Sequence, residues 1–348
     1  MNATTGKLAA GASVLALVVA CNVDRGPVGP TPPAFERQFE ESSAPLVLHL
    51  IAPRTTDPAI DRALDNHYVW LDTTAKSNHK LFVFLPGTGQ NPSIFQLVQQ
   101  AAARLGYHVI GLMYQTGGGL AKACPTTPDP SACYENARLE IIDGVDRVAF
   151  LDVNVANSID NRLTKLLQYL MRQYPDEGWD RFLLRDHPKW SQIAVGGHSQ
   201  GGGNAAMIAK IRLVARIVLF SSVTDSIHAE APSWVSTHVT PVERYYGIAH
   251  DRDGFYGPIR AGWDSLGVGV FGAPEMPETS SPPYGGTHTL VTDLTPQGGF
   301  VGTNAHGAPS NDLNTPLGPD GTPVLLAAWR YLLTARDEAE EIAERDDK

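Results

Sequence analysis

Basic residues are in short supply: 27 Lys and Arg against 37 Asp and Glu leave a formal net charge of -10. Phosphate recognition needs clustered cations, so nucleic acid is not an expected partner. Long apolar runs are also missing. The most conspicuous, LAAGASVLALVVA after Lys7, has 13 residues, too few to cross a bilayer comfortably. Cysteine is scarce, with three in 348 residues, and there is no CxxC pair and no HExxH. Cys124 and Cys133 have no companion Cys or His at ligand spacing, which argues against zinc. No glycine loop is followed by the acidic ribose contact of a dinucleotide site, so neither metal nor organic cofactor is expected. What remains is ordinary: 43% hydrophobic and 18% charged residues describe a globular chain able to bury a core. The acidic stretch RDEAEEIAERDDK reads as a solvated helix end.

The apolar run suits the h-region of a secretory signal. It ends in VVAC, which resembles a bacterial lipobox with Cys21 as the lipidated residue. Three segments follow from this: a lipoprotein-type signal peptide over 1–21, a Pro-rich tether over 22–44, and one domain over 45–348. The expected location is extracytoplasmic, on the bacterial cell envelope, with the lipid as the sole membrane contact; simple secretion is the alternative. Cys124 and Cys133 flank the loop PTTPDPSA, and in an oxidising compartment they are a candidate disulfide. Closing so short a loop is worth about 3 kcal/mol on a chain-entropy basis.

Short apolar runs rich in branched and aromatic residues mark strands near 45–53, 67–72, 80–86, 107–114, 192–197, 215–222, 242–249 and 288–294. Helical patterns fall between them. One follows Pro92 and ends at Gly106, with proline and glycine in their usual terminal places. Another covers about 155–173, where Ile159, Leu163, Leu166, Leu167 and Leu170 share a face. A small-residue helix follows the strand at 192–197, and a last one begins near Pro323. Two hairpin-like strands followed by β-α-β units predict an α/β fold with a mostly parallel sheet. The segments 115–137 and 254–287 read as loops that shape a pocket, and no large lid fits between Ser222 and Val242.

The segment QIAVGGHSQGGG, residues 192–203, places five glycines around one serine where a strand gives way to a helix. Gly197-His198-Ser199-Gln200-Gly201 has the form G-x-S-x-G. In that context the pattern is a nucleophile elbow: a sharp turn holds the serine in strained geometry, and the glycines relieve the clashes. A serine hydroxyl is a poor nucleophile near neutrality and needs a base, an orienting acid and a site for the oxyanion.

Through GHSQG, the earlier LPGTGQ and a late acid and histidine, residues 45–345 resemble the α/β-hydrolase family. The resemblance implies a mostly parallel central sheet flanked by helices. It implies an oxyanion hole from the backbone amides of Gln200 and Thr88, with Gly89 as the alternative. Proline at position 86 stands where many members carry histidine. It implies a base after the last strand, His306 in TNAHGAP; His288 would sit at the wrong end of its strand. The acid should follow the strand before that: Asp253, with Asp251 as the alternative and Asp225 one strand earlier. His49, His67 and His108 read as structural, and His198 as a support for the elbow.

The expected activity is hydrolysis of a carboxylic ester, from a small molecule or an envelope component, through an acyl-enzyme on Ser199. An acyltransferase using the same triad, or an inactive surface-binding lipoprotein, are the alternatives. The sequence gives no oligomeric state.

Overall fold

The computed structural model describes residues 44–335. The lipidation signal at Cys21, the tether before residue 44 and the acidic tail lie outside the described residues.

An eight-stranded sheet organises the fold: β1 Val47–Ile51, β2 His67–Leu71, β3 Leu81–Leu85, β4 His108–Gly111, β5 Ile193–His198, β6 Arg216–Phe220, β7 Tyr245–His250 and β8 Thr289–Thr292. Their order is β1-β2-β4-β3-β5-β6-β7-β8. The two pairings of β2, with β1 and β4, are antiparallel. From β4 onwards every pair is parallel. All residues of β3 and β5 are buried, as strands covered on both faces must be. Every strand expected from the sequence is present, most of them trimmed at the ends, while β5 and β7 run one residue further, to His198 and His250.

Six helices are long enough to cover the sheet: α1 Gln96–Arg104, α2 Pro130–Asp143, α3 Ile159–Gln173, α4 Gln200–Ile211, α5 Tyr256–Leu266 and α6 Leu326–Thr334. Strand alternation splits the core between two faces. Val83, Leu85, Val195, Ile217 and Leu219 join one apolar cluster with residues of α2, α3, α4 and α5. Phe82, Phe84 and Phe220 point the other way; Phe84 lies 4.9 Å from Phe95 and 5.8 Å from Phe220. Helices α1 and α6 pack together on that side.

Local chemistry explains the helix ends. Ser158 opens α3 by accepting from Asn161 N, and the five apolar residues read as its buried stripe are all buried. Asp129 caps α2 through Ala132 N, Pro130 fills its first position, and Gly144 closes it at φ 76°, the left-handed cap that glycine tolerates. The cap of α1 comes from far along the chain: the Asp312 carboxylate accepts from Gln96 N at 2.7 Å and Leu97 N at 3.1 Å.

Two expected loops are partly helical. Residues 115–137 contain a helical turn at Leu120–Ala123 and the start of α2, and 254–287 contains α5. The sulfurs of Cys124 and Cys133 lie 2.03 Å apart, at bonding distance, and tie that turn to the first part of α2. No helix among the described residues is long and apolar enough to cross a membrane.

Candidate active site

Ser199 sits between β5 and α4 with φ 53° and ψ -119°, a conformation that a residue with a side chain adopts only when its surroundings hold it there. Its N–H donates to Phe220 O at 3.0 Å, and its carbonyl accepts from Gly203 N at 3.1 Å and Ser222 Oγ at 2.8 Å. The flanking glycines are needed for space. A methyl on Gly201 would lie 2.0 Å from Leu85 O, and one on Gly197 2.5 Å from the Gly201 carbonyl carbon. The turn therefore closes only because these two positions carry no side chain.

His306 lies in a helical turn after β8. Its Nδ1–H donates to Asp253 Oδ2 at 2.6 Å, while Asp253 Oδ1 accepts from Phe255 N at 2.8 Å. That arrangement fixes the ring as the Nδ1–H tautomer and leaves Nε2 as the basic nitrogen. The backbone is held as firmly, because His306 O accepts from Ser221 Oγ at 2.8 Å and His198 Nε2 at 3.0 Å. Burial pushes His198 down to about 3, helped by its neighbour His306, so its ring stays neutral with one proton. The carbonyl cannot donate and takes that proton. Nδ1, 3.1 Å from the Gln90 side-chain amide, then receives the NH2 end of the amide.

Of the three candidate oxyanion donors, Gly89 is engaged: its N–H donates to Thr116 O at 3.1 Å. The N–H groups of Thr88 and Gln200 meet no acceptor among the described residues. Gln200 opens α4, where the unpaired amides and the helix dipole favour negative charge. The two residues are linked, Thr88 Oγ1 donating to Gln200 Oε1 at 2.8 Å.

The other two acids go elsewhere. Asp251 is on the surface, 3.0 Å from His250 Nδ1. Asp225 is buried against Arg138, which donates from Nε at 2.7 Å and Nη2 at 2.5 Å, while Trp234 Nε1 adds a third donor at 3.1 Å. Arg138 Nη1 also reaches Gln200 O at 3.0 Å and Asn204 Oδ1 at 2.8 Å. From Asn204 the chain of bonds continues to Tyr114 OH and on to Pro86 O. It thereby braces both segments that carry the Thr88 and Gln200 amides. Arg138, Asn204 and Tyr114 were not singled out in the sequence; the close approach of α4 implied by Gly203 was the available signal, since a methyl there would lie 2.2 Å from Arg138 Nη2.

The other histidines weighed in the sequence serve the scaffold. His288 is stacked between Phe271 and Tyr246, His49 bonds Glu177, His108 bonds Glu177 O, and His67 Nδ1 accepts from Met113 N. Among the described residues no group of three or more His, Cys, Asp or Glu converges as metal ligands.

Ser199 and His306 line one cavity of about 230 Å³. Its walls come from the segments following β3, β4, β5, β6, β7 and β8, with Arg138 added from α2. This is the carboxyl edge of the parallel strands, where open α/β sheets bind their ligands. No family model matches the chain, and no curated protein is significantly similar to it.

Proposed function

We propose that the protein is a serine hydrolase of carboxylic esters with the α/β-hydrolase fold, working through an acyl-enzyme. The observation that carries the reading is the Asp253–His306 pair at 2.6 Å, opening on the same cavity as a serine in strained turn geometry. Strand positions support it as well. The donor loop follows β3, the serine β5, the acid β7 and the histidine β8, the order implied by the family resemblance.

In the proposed reaction Ser199 Oγ attacks the ester carbonyl as His306 Nε2 takes its proton. Asp253 keeps the ring oriented and stabilises the imidazolium. The carbonyl oxygen becomes an oxyanion held by the amides of Thr88 and Gln200, each worth about 3 kcal/mol in such chemistry. When the intermediate collapses, the acyl–alkoxy bond breaks and His306 protonates the departing alcohol. Water then repeats the sequence on the acyl-enzyme, releasing the acid and restoring the Ser199 hydroxyl. Arg138 supports both donor segments without touching the reacting atoms.

A fluorophosphonate probe tests the nucleophile. One adduct on Ser199, located by peptide mapping and absent from Ser199→Ala, is the expected outcome. A folded protein that takes no label, and turns over no small ester, would refute the reading.

A further inference from the structure

We infer that the cavity selects esters of short, neutral acyl groups that carry a hydroxyl or similar hydrogen-bonding group, such as 3-hydroxyacyl esters; this rests on the hydrolase reading above. Size is the first argument. A cavity of about 230 Å³ falls below the roughly 300–1,000 Å³ of pockets that take drug-sized ligands, so it suits a small acyl group. A butyryl or 3-hydroxybutyryl group matches a site of that size better than a long alkyl chain does.

Lining is the second argument. Beyond Ser199 the wall holds Thr224, Asp225, Arg138 and Gln200, with apolar surface from Leu120 and Phe255. Thr224 lines the cavity and is only 8% exposed, and no hydrogen bond among the described residues engages its hydroxyl. An alkyl chain laid there would leave that hydroxyl unpaired at a real cost, while a substrate hydroxyl would satisfy it.

Charge is the third argument. Arg138 lies within 2.5 to 2.7 Å of both Asp225 oxygens, so the wall presents no uncompensated cation. The remaining titratable groups on the cavity are the buried His198, held neutral, and the His306 that Asp253 orients. An acyl group ending in a carboxylate finds no partner, and a neutral polar one does.

The test divides the purified protein: one portion is treated with the fluorophosphonate probe to establish labelling of Ser199, and the untreated portion is followed by acid release in a pH-stat. Ethyl butyrate, ethyl 3-hydroxybutyrate, ethyl octanoate and monoethyl succinate are compared by kcat/KM. Ethyl 3-hydroxybutyrate should lead ethyl butyrate by about tenfold, the worth of one well-placed hydrogen bond, and lead the other two by more. Thr224→Val should erase the lead over butyrate, and Thr224→Ser, which keeps the hydroxyl, should retain it. Untreated enzyme that favours octanoate or succinate while its probe-treated portion labels on Ser199, or a Thr224→Val ratio equal to the parent's, overturns this proposal alone. Failure to label Ser199, with no turnover of any ester, overturns the hydrolase reading and this one with it.

Discussion

Two buried aspartates stand at the ends of neighbouring strands, Asp225 after β6 and Asp253 after β7, only 1% and 6% exposed. Each has both oxygens occupied, and each belongs to a segment lining or bordering the cavity. Their partners separate them. Asp225 meets a guanidinium through two donors, a cation that keeps its proton at any working pH. Asp253 meets an imidazole, a group able to take up a proton and hand it on. Burial and nearness to the serine do not mark the orienting acid; the titratability of the group it holds does.

The sharpest way to break the comparison is to neutralise each carboxylate in turn. Asp253→Asn should lower kcat on a short ester by about 10³ to 10⁴ through loss of the Nδ1–H tautomer, with the unfolding midpoint little changed. Asp225→Asn should do the reverse. It strands the Arg138 charge and should cost about 3–5 kcal/mol of stability in denaturant titrations, with a smaller loss of rate per folded molecule. Pairing it with Arg138→Met should recover much of that loss, since the buried charge goes too. A 10⁴-fold rate loss from Asp225→Asn at unchanged stability would exchange the two roles.

The histidines sharpen the contrast at a smaller scale. Burial holds His67 and His198 down at about 3, while in the unfolded chain they titrate near 6.5. Their stabilisation is therefore complete above pH 6.5 and lost as the unfolded state takes up protons below it. Two groups at about 1.4 kcal/mol per pH unit give about 3 kcal/mol lost between pH 7.5 and 5.5, measurable by urea unfolding. His288, held at about 4 by burial, adds to the same loss, and His198→Gln should remove about 1.4 kcal/mol of the total. The smallest effect belongs to Thr88→Val. It deletes the 2.8 Å bond to Gln200 Oε1 but spares the backbone N–H, so kcat on ethyl butyrate should fall less than tenfold.

The parts of this molecule that could be read from the sequence are those with local signatures. All eight strands are apolar runs, and Ser199 announces itself through glycines whose positions the turn demands. His306 and Asp253 were placed by chain order and family resemblance, and the geometry brings them together. Helix α2 was hidden for a physical reason. Its buried residues include Tyr134, Ala137, Arg138, Glu140, Ile141 and Ile142, a set that wraps the helix instead of forming one apolar stripe. Helix α5 was obscured by Gly257, Pro258 and Gly262, which punctuate its sequence. The Arg138–Asp225 pair spans 87 positions, and nothing local in either segment names the other.

The Asp312 cap on α1 gives the fold a sense of timing. Ser199 leaves the ribosome more than a hundred residues ahead of His306, and the carboxylate that seats on Gln96 N, 216 positions back, follows six residues after that histidine. An unfinished nascent chain thus carries the serine without its proposed base, and with the first turn of α1 uncapped. Under the proposed chemistry, the assembly of that late segment both arms the nucleophile and locks an early helix, so a truncated translation product would be an inert one.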